Sequence, residues 1–237
     1  MLIIVKRGGI LFAALMVIVA FLIFTLRPAE AEELPKTEKA VIVIDPGHGA
    51  PDGGAVGTNT GVLEKDLNLS ISKLLAEKLS EKGETVLLTR EDDRGLYTEE
   101  KTSVRAKKQE DMRKRVSIAN QNGVSCLISI HMNFFTDSRY SGPQIFYPAD
   151  SEESRQLAEE IRLSILQSIG PHCTREIKPT KDLFLLRKAE VPAVIVECGF
   201  LSNPEEEALL VDSAYQERMA AAISEGIINY GKSNIFA

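Results

Sequence analysis

The chain has 237 residues, 44% hydrophobic and 26% charged, enough for one domain with a substantial core and a short appendage. A net charge of -6 supplies no concentrated basic surface, so nucleic acid is not an expected partner. Aromatic residues are 6% of the chain and tryptophan is absent, which leaves little material for stacking sugars or bases; three cysteines (Cys126, Cys173, Cys198) are too few for a disulfide framework.

Lys6 and Arg7 precede an uncharged run from Gly8 to Leu26, followed by Arg27, Pro28 and the small-x-small triplet Ala29-Glu30-Ala31. Residues 1–31 therefore read as an export signal or, if uncleaved, a membrane anchor, since the run approaches the ~20 residues that span a bilayer. Residues 32–39 are charged and contain proline, as a linker does. The remaining segment, 40–237, is expected to be the working domain, outside the cytoplasmic membrane.

Within it, Ala40-Val-Ile-Val-Ile44 is a continuous β-branched run, the pattern of a strand buried on both faces. Leu67, Ile71, Leu74, Leu75 and Leu79 recur at helical spacing across Asp66 to Lys82, and Gly83 supplies a stop. Strands follow at Thr85–Thr89, Ser125–Ile130, Gln144–Tyr147 and Ala193–Val196. Helices are expected at Met112–Asn122, around Leu157 to Ile169, and from Asn203-Pro204 to about Tyr230. Residues 91–111 read as a long charged connection, a solvated helix or loop rather than a binding patch, or a flap beside a site. Alternating helices and apolar strands predict an α/β fold, a three-layer sandwich whose largely parallel twisted sheet is covered by helices on both faces.

Three polar segments stand where buried strands should end: Asp45-Pro-Gly-His-Gly49, His131-Met-Asn133 and Glu197-Cys-Gly-Phe200. In an open parallel sheet ligands bind beyond the carboxyl ends of the strands, so these segments should share one edge. Glu64, between a glycine-containing loop and the first helix, completes the set. Two imidazoles and a carboxylate are a ligand set for catalytic zinc, so His48, Glu64 and His131 are the candidate metal ligands. Taken singly, each has a plainer reading: a turn histidine, a strand-capping histidine, an acid favoured at a helix N-terminus. Asp45, directly before Pro46, is a candidate turn residue or a candidate to take a ligand histidine's other ring nitrogen. Glu197, at the mouth of an apolar strand, should have a raised pKa suited to a general base; an ion pair with Arg187 is the structural alternative. His172, in an irregular stretch, is read as a surface residue. Cys198 as a thiol nucleophile is a competing reading, although strand alternation should point it away from Glu197.

Ile44-Asp-Pro-Gly-His-Gly49, Glu64, Arg115-Val-Ser-Ile-Ala-Asn120, Ser129-Ile-His-Met-Asn133 and Val196-Glu-Cys-Gly-Phe-Leu-Ser-Asn203 together resemble the zinc-dependent N-acetylmuramoyl-L-alanine amidases of the third amidase type, over about Val41 to Tyr230. The resemblance implies Zn2+ on His48, Glu64 and His131, a catalytic Glu197, and peptidoglycan as the substrate, cut between N-acetylmuramic acid and L-alanine. Asn133 is then expected to orient the substrate or the metal's surroundings, and Arg187 to bind a peptide carboxylate. Met132 and the charged 91–111 connection depart from the family pattern. The single domain behind a membrane segment resembles the branch that acts in spore germination. That implies work on spore cortex, a peptidoglycan deacetylase acting next toward muramic-δ-lactam, and room for an activating protein partner. A general autolysin of the same chemistry and a non-catalytic wall-binding protein are the alternatives.

Overall fold

The structure, a computed structural model, describes residues 40–98, 100–170 and 174–235. The expected export segment, the linker, His172 and Cys173 lie outside the described residues. Twelve elements are found among those described: β1 Val41–Pro46, α1 Glu64–Glu81, β2 Thr85–Leu88, α2 Val104–Ala119, β3 Val124–Asn133, β4 Gln144–Pro148, α3 Glu152–Ile169, β5 Lys178–Thr180, α4 Phe184–Lys188, β6 Ala193–Phe200, α5 Pro204–Leu210 and α6 Ser213–Ile235.

The strands form one sheet in the order β2-β1-β3-β6-β4-β5. The first four are mutually parallel, β4 runs antiparallel to β6, and β5 follows β4 in parallel. Alternate residues of the apolar runs supply two cores. Ile42, Ile44, Ile128, Ile130, Val194 and Val196 pack with α1, α3 and α6. Val43, Leu127, Ala193 and Ile195 face the other way and pack with Ala119 of α2 and Leu185 and Leu186 of α4. The three-layer α/β arrangement is as the alternating pattern predicts. No described helix is long and apolar enough to cross a membrane.

Several boundaries differ from the sequence expectation, each for a physical reason. Helix α2 starts at Val104, eight residues before Met112, with Ser103 accepting from Ala106 N as its cap. Its first two turns (Val-Arg-Ala-Lys-Lys-Gln-Glu-Asp) are largely solvent-facing, so helix-forming residues build them without an apolar period. The expected last helix is two, because Asp212 breaks it and caps the second by accepting from Ala214 N at 2.7 Å. Strand β5, unexpected because it contains Pro179, sits at the sheet edge, where a missing N–H is tolerated. Strands β3 and β6 continue through His131 and Glu197, which are therefore in strands rather than beyond them.

Candidate metal centre

The turn after β1 carries His48 at φ 61, a left-handed conformation that a side chain disfavours. Two buried guanidiniums hold it there. Arg90 donates to Pro46 O and Gly47 O, both at 2.9 Å. Arg115 donates to Pro46 O at 2.7 Å and to His48 O. Arg115 also donates to Asp45 Oδ1 at 2.6 Å, while Thr89 and Ser129 hydroxyls donate to the two Asp45 oxygens at 2.6 Å. Burial pushes the Asp45 carboxyl up, but Arg115 and the two hydroxyls outweigh it and hold it below the usual carboxylate range. Asp45 thus clamps the turn, one of its two expected roles, and makes no bond to His48 or His131, so the other role falls elsewhere. Asp52 takes that role: its Oδ2 lies 3.0 Å from His48 Nδ1 and accepts from Lys108 Nζ of α2 at 2.8 Å.

Glu64 opens α1, and its Oε2 accepts from Ala55 N at 2.8 Å. Its Oε1 lies 3.1 Å from His48 Nε2 and 2.9 Å from His131 Nδ1. One ligand atom from each of His48, Glu64 and His131 falls within 4.8 Å of the others. Two glycines make the approach possible. A Cβ on Gly47 would stand 2.2 Å from His131 Nε2, and one on Gly54 would stand 2.5 Å from Glu64 Oε2. Burial disfavours charge on His48, but Asp52 and Glu64 more than offset it and raise its pKa to about 9. Burial works against ionised Glu64 too, and the two imidazoles overcome it, keeping the acid well below its ordinary range.

Glu197 is the register partner of His131 on the adjacent strand. Its Oε2 is buried and has no hydrogen-bond partner. Burial, with a smaller push from Glu64, raises its pKa to about 7 against the opposing pull of the two histidines. Two imidazoles and a carboxylate converging beside an orphaned acid oxygen are a donor set that fits a divalent cation with one side left for a reacting molecule.

The other expected residues fare differently. Asn133 stands two residues past His131, and its Oδ1 accepts from Phe134 N at 2.9 Å. Arg187 is not brought to the centre. It lines a cavity with Pro148, Ser151, Val191 and Pro192, at the amino end of β6, opposite the end that holds Glu197, so the alternative Arg187–Glu197 ion pair does not form. Cys198 is fully buried on the opposite face, and burial pushes its thiol far above the range in which a thiolate forms at neutral pH. Asp52, Lys108 and Arg90 were not singled out from sequence. Arg90 follows the end of β2 and obeys the same strand-end rule as His48; Lys108 carries no such signal, because only the helix placement brings it to Asp52.

Residues 42–229 match the N-acetylmuramoyl-L-alanine amidase family. The chain is 37% identical over 197 residues to the germination-specific N-acetylmuramoyl-L-alanine amidase of Bacillus subtilis (strain 168), across 83% of this chain and 81% of that protein. The CwlD amidase from Clostridioides difficile, solved in complex with the GerS lipoprotein, shares 39% identity and a TM-score of 0.79, covering 82% of this chain and 99% of that one. An N-acetylmuramoyl-L-alanine amidase from Clostridium difficile 630 shares 30% identity and a TM-score of 0.71, over 82% of this chain and 98% of that one. With its sheet, its motifs and nearly all of its described length accounted for in this way, the chain belongs to the N-acetylmuramoyl-L-alanine amidase family.

Proposed function

We propose that this chain hydrolyses the amide bond joining the lactyl group of N-acetylmuramic acid to L-alanine of the stem peptide, with His48, Glu64 and His131 holding zinc and Glu197 moving the proton. Zinc held by these three residues would supply Lewis acidity to the lactyl carbonyl and to water. Glu197 accepts a proton from the attacking water at its carboxylate and delivers it to the alanine nitrogen as the C–N bond breaks, leaving a lactyl carboxylate and a free amine. Asp52 orients His48 by holding Nδ1 and leaving Nε2 toward the metal. The Arg90–Arg115 clamp keeps the turn that carries His48 in its left-handed form. The observation that carries the reading is the unpartnered, buried Glu197 oxygen beside three converging ligand atoms.

The reading extends to the cell. Likeness to the germination-specific enzyme and to the CwlD amidase supports work on spore cortex, before a deacetylase acts on the freed muramic acid. Residues 1–31 export or anchor the protein, 32–39 tether it, and 40–237 act on peptidoglycan outside the membrane. The lipoprotein complex of the C. difficile neighbour supports an activating partner here as well. Asn133, two residues past His131 on β3, orients the substrate in this reading.

Metal analysis of the protein, combined with mass spectrometry of digested peptidoglycan, tests the chemistry. One zinc per chain and stem peptides with new L-alanine N-termini are expected. Cleavage at another bond, or full activity after chelation, would overturn it.

A further inference from the structure

A low aromatic content argues from composition against a stacking platform, yet exposed aromatic rings gather in one place. The loop 134–143 joins β3 to β4. Because β6 lies between those strands and β4 is antiparallel to it, the loop starts and ends at the carboxyl edge and passes over the end of β6. That edge holds His131 and Glu197, and Phe134 is three residues beyond His131, roughly 10 Å along an extended strand. Phe134, Phe135 and Tyr140 are 46%, 49% and 44% exposed.

The loop is tied down. Phe135 N donates to Ser202 Oγ at 3.0 Å, Gly142 N to Glu206 Oε1 at 2.7 Å, and Arg175 Nε to Ser141 O at 2.6 Å. Phe135 and Tyr140 meet edge to face at 4.7 Å, and the Arg175 guanidinium lies 5.5 Å from the Tyr140 ring and 4.9 Å from the Phe200 ring. Rings held in this way present apolar faces without the ordering cost of a loose loop. Beside them is a depression of about 390 Å³ lined by Asp137, Arg139, Tyr140, Ser141 and Arg175. Asp137 and Arg139 pair with each other at 2.7 Å, which leaves Arg175, already committed to Ser141 O and the Tyr140 and Phe200 rings, as the one unbalanced charge in the depression.

The opposite flank is different. There α2 presents Arg105, Lys108 and Arg113 around a second cavity. A peptidoglycan strand has the matching asymmetry: its stem peptides carry free carboxylates, and its backbone sugars are uncharged pyranoses with apolar C–H faces and rows of hydroxyls. The sugar ring is also joined to the scissile carbonyl through the lactyl ether, so sugar must lie within a few bonds of the reaction centre. Exposed aromatic faces beside a paired acid and guanidinium, with a single unbalanced arginine, suit a pyranose better than the more cationic α2 flank does.

We infer that Phe134, Phe135 and Tyr140 form a glycan subsite that stacks a pyranose of the peptidoglycan strand next to the muramoyl residue being cleaved. The proposal rests on the amidase reading and names where the polymer's sugars lie. It is tested with the full zinc-loaded chain and peptide-free glycan strands as the probe, comparing wild type with the Phe134→Ala/Phe135→Ala double variant. The double variant should bind the strands about tenfold more weakly, the scale of losing a buried aromatic contact. Leu209→Ala, a comparably exposed apolar residue on α5, should bind as wild type does. On polymeric peptidoglycan the double variant should lose kcat/KM through KM, and lose much less on a single-sugar muramoyl peptide. Wild-type glycan binding by the double variant, equal losses on both substrates, or a defect confined to association with a protein partner would each overturn the subsite. Glycan binding is read without turnover, so a failure of the amidase chemistry would show separately, as intact binding with no released peptide.

Discussion

Asp45 and Glu197 are two buried carboxylates near the same edge of the same sheet, and they are opposites. Asp45, at the end of β1, receives three short hydrogen bonds from Arg115, Thr89 and Ser129 and is held ionised. Glu197, on β6, has an oxygen with no donor at all and is pushed up to about 7. Burial raises both; the partners decide the outcome. A carboxylate with donors on both oxygens is part of the frame, whereas one with an oxygen left unsatisfied in an otherwise well-bonded core destabilises the fold and is available to move a proton.

The contrast is broken most directly at Glu197. Glu197→Gln should reduce peptide release by about 10³-fold, within the range of a lost general base, while zinc content stays at one per chain. The same variant should raise the thermal midpoint of the metal-free protein by about 2–4 °C, if relieving the orphaned acid is worth ~1 kcal/mol. Zinc lost along with activity would make Glu197 a ligand instead. Asp45→Ala should do the reverse, costing about 1–3 kcal/mol in denaturant unfolding, because it leaves the buried Thr89 and Ser129 hydroxyls unpaired while Arg115 keeps Asp111. The pH dependence has a definite sign. The folded pKa of Asp45 lies below its unfolded value, so its stabilisation is fully present above the unfolded carboxylate range and disappears as pH falls through the folded pKa. Unfolding midpoints measured between pH 7 and pH 2 should therefore drop in wild type and stay flatter in Asp45→Asn.

Asp52→Ala should weaken zinc binding by about 10–100-fold, the usual effect of removing a carboxylate behind a ligand histidine, as read by competition with a chromophoric chelator. Because Asp52 and Glu64 raise His48 to about 9, zinc uptake at neutral pH should also release protons, seen as a binding enthalpy that varies with buffer. The smallest effect is expected at Cys198. Cys198→Ala should retain peptide release within about threefold, since burial keeps that thiol inert; a complete loss without unfolding would revive the thiol mechanism.

Much of this site was legible before any coordinates. The runs 40–44, 125–130 and 193–196 are too apolar to be anything but buried strands, and polar residues directly after them must meet at one edge if the strands are parallel. That logic reached His48, His131 and Glu197, because it depends only on local pattern and on the handed crossovers that make such sheets parallel; Glu64 came from its place between a glycine-containing loop and the first helix. What it could not reach are pairings between segments 43 to 84 residues apart. The donors that grip Asp45 and the turn carbonyls come from the residues just after β2, from α2 and from β3, so no local period points to them. The same limit explains the loss of Arg187 to the far end of β6 and the aromatic ledge hidden in an aromatic-poor composition; Asp52 is only four residues from His48, but its irregular turn has no period to read. Period and composition report what a residue's own element buries. Which side chains from distant elements share a cleft is set by strand order and loop path, and these exist only once the chain has folded.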